Sequence, residues 1–413
     1  MLSSLGIPLS AGNGRAPMAN ARTAVLATRL FEPEAGAAAY RLAALVRALE
    51  ADDWQVTVLT SRPPSGLRSG GRIRRWPVLR DRTGAVRGYL QYASFDIPLF
   101  FRLLTVRRPN VVIVEPPPTT GVVCRIVCAL RHIPYVYFSA DVTSRAAEGI
   151  GVNRTVVSVL RRVESWVLRG ASTVLAVSGG VRDAVISLGI SESAVTDVGT
   201  GIDTRLFSMA GERPSVDYPY LVYAGTMSEV HGATVFIEAF GKIMHSHPAA
   251  RLLLFGQGVD VEAMRARASE LDAHNIEFRG TVDGEEIARW IRGAHAGLAS
   301  VRPDRGYDFA YATKAFATIG CGTPVIYAGV GPVRTLVDQN DLGWAVDWDV
   351  DAVAMAMSEA LGTVTTDRER SRLSGWITEN HSLDVVAREA ATVIGQTAAA
   401  RDESRGEPQA GRD

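Results

Sequence analysis

The sequence predicts an α/β protein made of two doubly wound parallel sheets that face each other across a cleft. Three observations lead there. Short β-branched runs alternate with amphipathic helical stretches along the chain, the pattern of consecutive β-α-β units. That rhythm stops once, at the polar, Pro- and Gly-containing stretch 208–218 (SMAGERPSVDY), and then restarts. Glycine is abundant, 39 of 413 residues, as many strand-to-helix turns require, and 47% of residues are hydrophobic, enough for sizeable cores.

In the first half, residues 23–28 (TAVLAT) form a strand-like run. A helix over 36–50 follows, with Leu42, Leu45, Val46 and Leu49 at i, i+3, i+4 and i+7, and 55–60 returns to strand. Further buried-strand runs occur at 111–115, 135–139 and 173–178, and a helix places Val156, Val159, Leu160, Val163, Trp166 and Val167 on one stripe. After the linker, strands are expected at 220–224, 251–255, 276–279, 297–300, 324–327 and 343–346, with helices over 351–361 and 383–398. The expected organisation is a first lobe over 21–207, the linker 208–218, a second lobe over 219–378 and a C-terminal helix over 379–400. The polar ends, 1–20 and 401–413, are expected to be disordered.

Composition narrows the class. Lys+Arg and Asp+Glu number 44 each, so net charge gives no reason to expect a nucleic-acid partner. Cys124, Cys128 and Cys321 are too few for a disulfide framework and read as buried thiols in a reducing compartment. The cluster Asp347, Asp349 and Asp351 stands where a strand gives way to a helix, so helix capping explains it and no metal is expected. Residues 1–20 lack a basic segment followed by an apolar run, so no secretory leader is expected. The longest apolar stretch, 121–138, is broken by Arg125, Arg131 and His132. A cytoplasmic protein is therefore expected. Charge is nonetheless uneven: residues 60–110 hold eleven arginines against Asp81 and Asp96, a local excess of 11 − 2 = +9. The stretch is either a solvated loop or a surface for anionic headgroups at the inner membrane face.

Open parallel sheets bind ligands beyond the carboxyl ends of their strands, so the informative residues are those just after strands. After the first strand come Glu34, Gly36 and small residues that let a ligand approach a helix N-terminus; a plain tight turn explains them equally well. The turn lacks a G-x-G-x-x-G fingerprint, which disfavours a dinucleotide. Glu115 and Asp141 end two apolar strands, where a carboxylate binds sugar hydroxyls, takes a proton, or merely caps a loop. In the second half, Gly225-Thr226 and His231 follow one strand and Gly256 and Gly258 another. The segment 307–324 contains Phe309, Tyr311, Thr313 and Lys314, and Lys314 is one of only two lysines in the chain.

These segments, in this order, resemble the retaining nucleotide-sugar glycosyltransferases of the GT-B fold, family 4, over residues 23–398. Pro33–Ala38 matches the family's small-residue loop, Ala176-Val177-Ser178 its valine-serine strand, and Gly199–Phe207 its hinge motif. Tyr223–Gly225, Gly256–Gly258, Asn275–Gly280 and Lys314–Pro324 match the donor-side motifs. The resemblance implies two Rossmann-like domains, with an acceptor bound by the first and a nucleotide-diphosphate sugar by the second. It also implies a C-terminal helix returning to the first domain, a glycan or lipid-linked acceptor, and no metal or other cofactor. Site residues would be Asp141 and Lys314 at the reaction centre and Glu34, Gly36 and Glu115 on the acceptor side. Donor contacts would come from Gly225, Thr226, His231, Gly256, Gly258, Arg302, Phe309, Tyr311, Thr313 and Ala317.

The chain departs from the family pattern where it counts. Phe309 and Ala317 stand where the family places two glutamates eight positions apart, the second of which holds the ribose hydroxyls. Thr226 and His231 take the usual basic pair's places, and Thr200 that of the hinge Asn. A departing diphosphate needs positive charge, and the candidates are Lys314, a protonated His231, Arg302, Arg305 and the helix N-terminus near Thr313. The alternative is a non-catalytic relative that binds a glycan precursor or an active partner enzyme.

Overall fold

The computed structural model describes residues 22–34, 36–64, 70–81, 84, 86, 88–149, 151–305, 307–308 and 311–406, with the side chains of 401–406 excepted. The N-terminal stretch 1–20, residues 407–413, Phe309, and Arg68, Arg82 and Arg87 of the arginine-rich stretch lie outside the described residues.

Two parallel sheets form. The first holds β1 (Thr23–Ala27), β2 (Gln55–Ser61), β3 (Ile73–Trp76), β4 (Val111–Val114), β5 (Tyr135–Ser139), β6 (Thr173–Ala176) and β7 (Val195–Asp197) in the order β3-β2-β1-β4-β5-β6-β7. The second holds β8 (Tyr220–Ala224), β9 (Arg251–Phe255), β10 (Ile276–Gly280), β11 (Ala296–Val301), β12 (Val325–Gly329) and β13 (Gly343–Val346) in the order β10-β9-β8-β11-β12-β13. Both orders reverse direction once. The reversal falls between β1 and β4 in the first sheet, where Ala27 pairs with Val114, and between β8 and β11 in the second, where Tyr223 pairs with Leu298. These are the crevices where a doubly wound sheet receives a ligand.

Strand composition follows burial. β4 (VVIV) and β11 (AGLASV) are covered on both faces and read as continuous small or apolar runs. The edge strand β3 (IRRW) alternates half-buried and exposed positions, and its arginines keep the open edge charged. The stretch read from sequence as an arginine-rich loop thus contains β3 and a long helix, α2 (Tyr89–Thr105). The remaining first-lobe helices are α1 (Ala37–Ala51), α3 (Pro118–Arg131), α4 (Thr143–Gly149), α5 (Arg154–Gly170) and α6 (Gly179–Ser187).

The second lobe carries α7 (Thr234–Ile243), α8 (Val261–Glu270), α9 (Gly284–Gly293), α10 (Thr313–Gly320), α11 (Pro332–Gln339), α12 (Val350–Gly362) and α13 (Asp367–Asn380). Asp349 caps α12, accepting from the N–H groups of Asp351 and Ala352 at 3.0 and 2.9 Å, so the acidic cluster has the capping role expected of it. The last helix, α14 (Leu383–Gly406), continues through residues expected to form a tail and packs on α1. Its Val386, Ala390, Ala391, Ile394 and Ala398 belong to the first lobe's core, and Thr397 Oγ1 shares a 2.8 Å hydrogen bond with Thr173 Oγ1.

The chain therefore crosses between the lobes twice, and the two crossings lie side by side. Ile202 N–H donates to His381 O at 2.9 Å and Leu383 N–H to Ile202 O at 2.8 Å. His381 stacks on Phe316 with ring centroids 4.3 Å apart. Gly201 permits the contact, because a Cβ there would lie 2.7 Å from the backbone of Ser382. Gly201→Ala should push the crossings apart and cost about 1–3 kcal/mol, the usual range for overpacking. A urea titration read by circular dichroism measures this, with a wild-type midpoint counting against the constraint.

Candidate functional site

On the second lobe, two loops interleave at the carboxyl ends of β8 and β9. Gly225 N–H donates to Phe255 O at 2.9 Å and Met227 N–H to Gln257 O at 3.0 Å. Gly256 has φ +129°, and a Cβ on it would collide with Gly225 O; one on Gly258 would meet Met227 O. Only glycine allows the loops to lie this close. Beside them opens a cavity of about 270 Å³ lined by Met227, Gly256, Gln257, Gly258, Arg265, Phe278 and Gly280, with the Arg265 guanidinium over the Phe278 ring at 4.5 Å.

Lys314, in the first turn of α10, reaches under the same loop. Its Nζ donates to Tyr223 Oη at 2.7 Å, and Tyr223 Oη donates to Thr226 O at 2.8 Å. A Cβ on Gly225 would stand 3.1 Å from Lys314 Cε, so the glycine leaves room for the lysine stem. One of the three ammonium donors is used, leaving two for a ligand among the described residues. Enclosure by protein pushes its pKa down from 10.5 to about 7, because the ammonium loses water without gaining a carboxylate.

His231 sits beside it. Its Nδ1 is 3.3 Å from Ser300 O, and Ser300 Oγ donates to His231 O at 2.6 Å. A carbonyl only accepts, so the neutral ring carries its proton on Nδ1 and presents Nε2 as an acceptor. Burial first, and the positive charge of Lys314 second, lower its pKa to about 4. The sequence-based candidate of a protonated His231 is therefore corrected: near neutral pH the ring is uncharged.

Arg302 directly follows β11, with its guanidinium 4.7 Å over the Trp348 ring, and Trp348 Nε1 donates to Gly232 O at 3.2 Å. Arg305 is paired with Glu229 at 2.6 Å. Thr226 and Thr313 are exposed, and Thr313 opens α10. Ala317 is buried in that helix, 9% exposed, and supplies no polar atom from its side chain. Tyr311 packs against Phe316 and His381, with ring centroids at 5.8 and 6.4 Å, which puts it at the crossing between lobes.

The first lobe presents carboxylates at the ends of β4 and β5. Glu115 is 6% exposed; its Oε1 lies 2.6 Å from Thr28 Oγ1 and its Oε2 3.5 Å from an Arg41 guanidinium nitrogen. Burial raises the Glu115 pKa, with Arg41 opposing, and lowers that of Arg41, with Glu115 opposing. Asp141 keeps exposed surface, yet the protein around it is dense enough to raise its pKa by desolvation, against the pull of Arg41 and a hydrogen bond from Thr143. Asp141 also lies close enough to Tyr307 of the second lobe to help raise that phenol's pKa, after burial. Tyr307 thus stands near Asp141 of the first lobe.

Glu34 is held differently from the sequence-based expectation of an acceptor contact. Arg80 grips it through two hydrogen bonds, 2.8 and 3.0 Å, so both carboxylate oxygens are engaged within the protein. Gly36 precedes α1 with open space where a Cβ would stand. Sequence reasoning missed Arg41, Thr28 and the lysine-binding hydroxyl of Tyr223. A single arginine within an otherwise apolar helical turn was the available signal for Arg41.

Two family models match the chain: a "Glycosyl transferase 4-like domain" over residues 36–201 and "Glycosyl transferases group 1" over 218–363. Among curated relatives, a glycogen synthase of Mycobacterium tuberculosis is 24% identical over 254 residues, 60% of this chain and 59% of that protein. A D-inositol 3-phosphate glycosyltransferase of Xylanimonas cellulosilytica is 28% identical over 178 residues, 39% of this chain and 40% of that protein. The alignments therefore span less than two thirds of these relatives. Among solved structures, the sucrose-phosphate synthase of Thermosynechococcus elongatus superposes with a TM-score of 0.72 at 17% identity, covering 92% of this chain and 100% of the other. Anabaena HepE, solved in complex with UDP-glucose, superposes with a TM-score of 0.65 at 14% identity, covering 91% and 99%. At such identities the superpositions establish the fold.

The lysine environment can be tested directly, because the chain has only Lys314 and Lys242. In a ¹³C-lysine-labelled sample, the Lys314 Cε resonance should titrate near pH 7. Lys242, exposed and ion-paired with Asp351, supplies the second signal. A Lys314 midpoint near pH 10 would show an ammonium in bulk water.

Proposed function

The chain belongs to the GT-B glycosyltransferases, a glycosyl transferase 4-like domain followed by a group 1 domain, and from that premise we propose that it transfers a glycosyl group from a nucleoside-diphosphate sugar to an acceptor held by the first lobe. The observation that carries the reading is Lys314, anchored on Tyr223 beside the glycine loops with two N–H donors to spare. The nucleotide would lie along Gly225, Gly256 and Gly258, with its diphosphate toward Lys314 and Arg302. As the glycosidic bond breaks, negative charge grows on the leaving diphosphate, and each charge-assisted contact to it is worth about 1.5–3 kcal/mol. Neutral His231 would accept a hydroxyl proton from the sugar through Nε2, and Thr226 and Thr313 would supply further hydroxyl contacts.

We assign the acceptor to the carboxylate side of the cleft. Asp141 would orient the attacking hydroxyl, with Arg41 and Glu115 fixing the local field. Attack from the face that the diphosphate leaves gives retention without a strongly basic residue, and neutralisation by Lys314 and Arg302 gives a metal-independent reaction. We further propose a glycan or lipid-linked acceptor used in cell-surface polysaccharide or glycoconjugate synthesis, at the cytoplasmic membrane face. No described helix is long and apolar enough to cross a membrane.

A second reading, a nucleotide-binding or accessory relative without turnover, is motivated by Ala317, whose methyl group offers the ribose nothing. Nucleotide binding by calorimetry, followed by donor consumption, separates the two. A diphosphate stabilises the ammonium, so above pH 7 binding draws a proton onto Lys314. Affinity for UDP, GDP or ADP, whichever binds, should therefore fall by up to tenfold per pH unit above 7 and flatten below it. Lys314→Ala should weaken binding about 10- to 150-fold and abolish that slope. A wild-type profile in the variant refutes the phosphate role. Ala317→Glu should tighten nucleotide binding about fivefold or more through a new ribose hydrogen bond; an unchanged affinity would put position 317 away from the ribose.

A further inference from the structure

We propose that the outer face of α2, α3 and α5 is a docking surface for an anionic lipid bilayer. This gives the membrane contact proposed above a defined surface, and rests on that part of the reading but not on the transfer chemistry. The three helices are neighbours, with α3 packed between α2 and α5. Each turns apolar side chains away from the core at helical spacing. On α2, Ile97 and Phe101 are 63% and 62% exposed; on α3, Ile126 and Leu130 are 40% and 64% exposed; on α5, Val159 and Trp166 are 53% and 42% exposed. The spacings i, i+4 and i, i+7 keep each pair on one side of its helix. An apolar surface spread over three adjacent helices is a binding surface far more often than scattered exposure is.

The charge on the same helices has one sign. Their carboxylates are Asp96 and Glu164, and both point inward, 6% and 2% exposed. Asp96 accepts from Thr120 Oγ1 at 2.7 Å, and Glu164 accepts from the N–H groups of Thr143 and Ser144 at 2.7 and 3.0 Å. The outward charges are arginines. Arg154, Arg161, Arg162 and Arg169 are exposed on α5, and Arg107 and Arg108 are exposed just beyond α2. The Arg125 guanidinium carbon lies 4.0 Å from the centre of the Trp166 ring, which sets a cation beside that half-exposed indole. Glu148 of α4, paired with Arg161 at 2.6 Å, is the one carboxylate bonded to an arginine of α5 among the described residues.

This combination selects the occupant. A second copy meeting the face through a two-fold axis would set arginine against arginine with no exposed carboxylate on these helices to answer it. A nucleic acid would satisfy the arginines and leave Ile97, Phe101 and Leu130 against a hydrated backbone. A bilayer surface of anionic lipid satisfies both, taking the apolar side chains below the headgroups and the arginines among the phosphates. The surface keeps α2, Arg107 and Arg108 of the arginine-rich stretch 60–110 and extends the basic contact to α5. Within 60–110, Arg80 is consumed by Glu34 and Arg102 donates to Arg74 O at 2.6 Å.

The test is co-sedimentation of the full chain with vesicles of phosphatidylglycerol and phosphatidylcholine in equal parts, against phosphatidylcholine alone. Binding is expected to the mixed vesicles only and to fall as salt rises. Arg154→Gln and Arg162→Gln should each weaken it about fivefold. The triple change Ile97→Ser, Phe101→Ser, Leu130→Ser should abolish it, while nucleotide affinity and the circular-dichroism melt stay as in the parent chain. Should the triple variant fail to fold, hydrogen exchange on the unaltered chain decides: mixed vesicles should protect amides of α2, α3 and α5 and spare the second lobe. Absence of binding at low salt, equal binding to both vesicle types, protection elsewhere, or a dimer that Phe101→Ser dissociates each overturns the proposal. Any of these leaves the calorimetric test of Lys314 untouched, so the two conclusions fail separately.

Discussion

The Lys314 ammonium is enclosed by protein, held by the hydroxyl of a tyrosine and given no carboxylate. Much of the second lobe's architecture serves that arrangement. Tyr223 Oη accepts from the lysine because its own proton goes to Thr226 O, and Thr226 O is aimed by the turn after β8. That turn is locked to the one after β9 by backbone hydrogen bonds that only glycines at 256 and 258 allow. A surface lysine would have full hydration and nothing to gain from a diphosphate beyond a screened charge pair. Here hydration has already been given up on folding, so the charge an anion supplies is worth more. His231 is part of the same balance. The lysine's field helps to keep the imidazole neutral, which turns a second potential cation into an acceptor.

Sheet topology explains why these groups share a cleft. In each lobe the strand order reverses beside the first strand, so the turns after β1 and β4 open together, as do those after β8 and β11. Thr28 and Glu115 meet at the first reversal, and Gly225 and Arg302 flank the second. The double crossing through Ile202 and Ser382 ties the lobes at one edge, and α14 returns the chain to the first lobe's core. Phe316, Tyr311 and Trp376 ring His381 beside that short parallel bridge.

Much of the fold was legible because buried parallel strands are short apolar runs and their helices carry a 3.6-residue stripe. β3 and α2 were not, for opposite reasons. β3 is a four-residue edge strand whose two central residues are arginines, and α2 contains Pro98 and exposes part of its apolar side chain set, so neither has a clean period. Glycine turns and the rare lysine marked the second lobe's candidate site. What the sequence left out were distances between residues far apart in the chain. Arg41 and Glu115 are 74 positions apart, and Glu34 and Arg80 are 46 apart, yet the first pair builds a charged cluster at the cleft and the second takes Glu34 out of it.

If position 317 faces the ribose, as proposed, the cost of having alanine there is an energy. A charged hydrogen bond to a sugar hydroxyl contributes about 1.5–3 kcal/mol, and its loss falls on ground state and transition state alike, since the ribose is remote from the bond that breaks. Contacts to the diphosphate differ, because the leaving group gains charge as the reaction proceeds and Lys314 and Arg302 would interact more strongly at that stage. Removing a uniform contact raises the substrate concentration needed without removing the differential term. Under the proposed donor pose, a chain with alanine at 317 and an intact lysine site would retain the contact that accelerates the chemistry and give up one that only holds the donor in place.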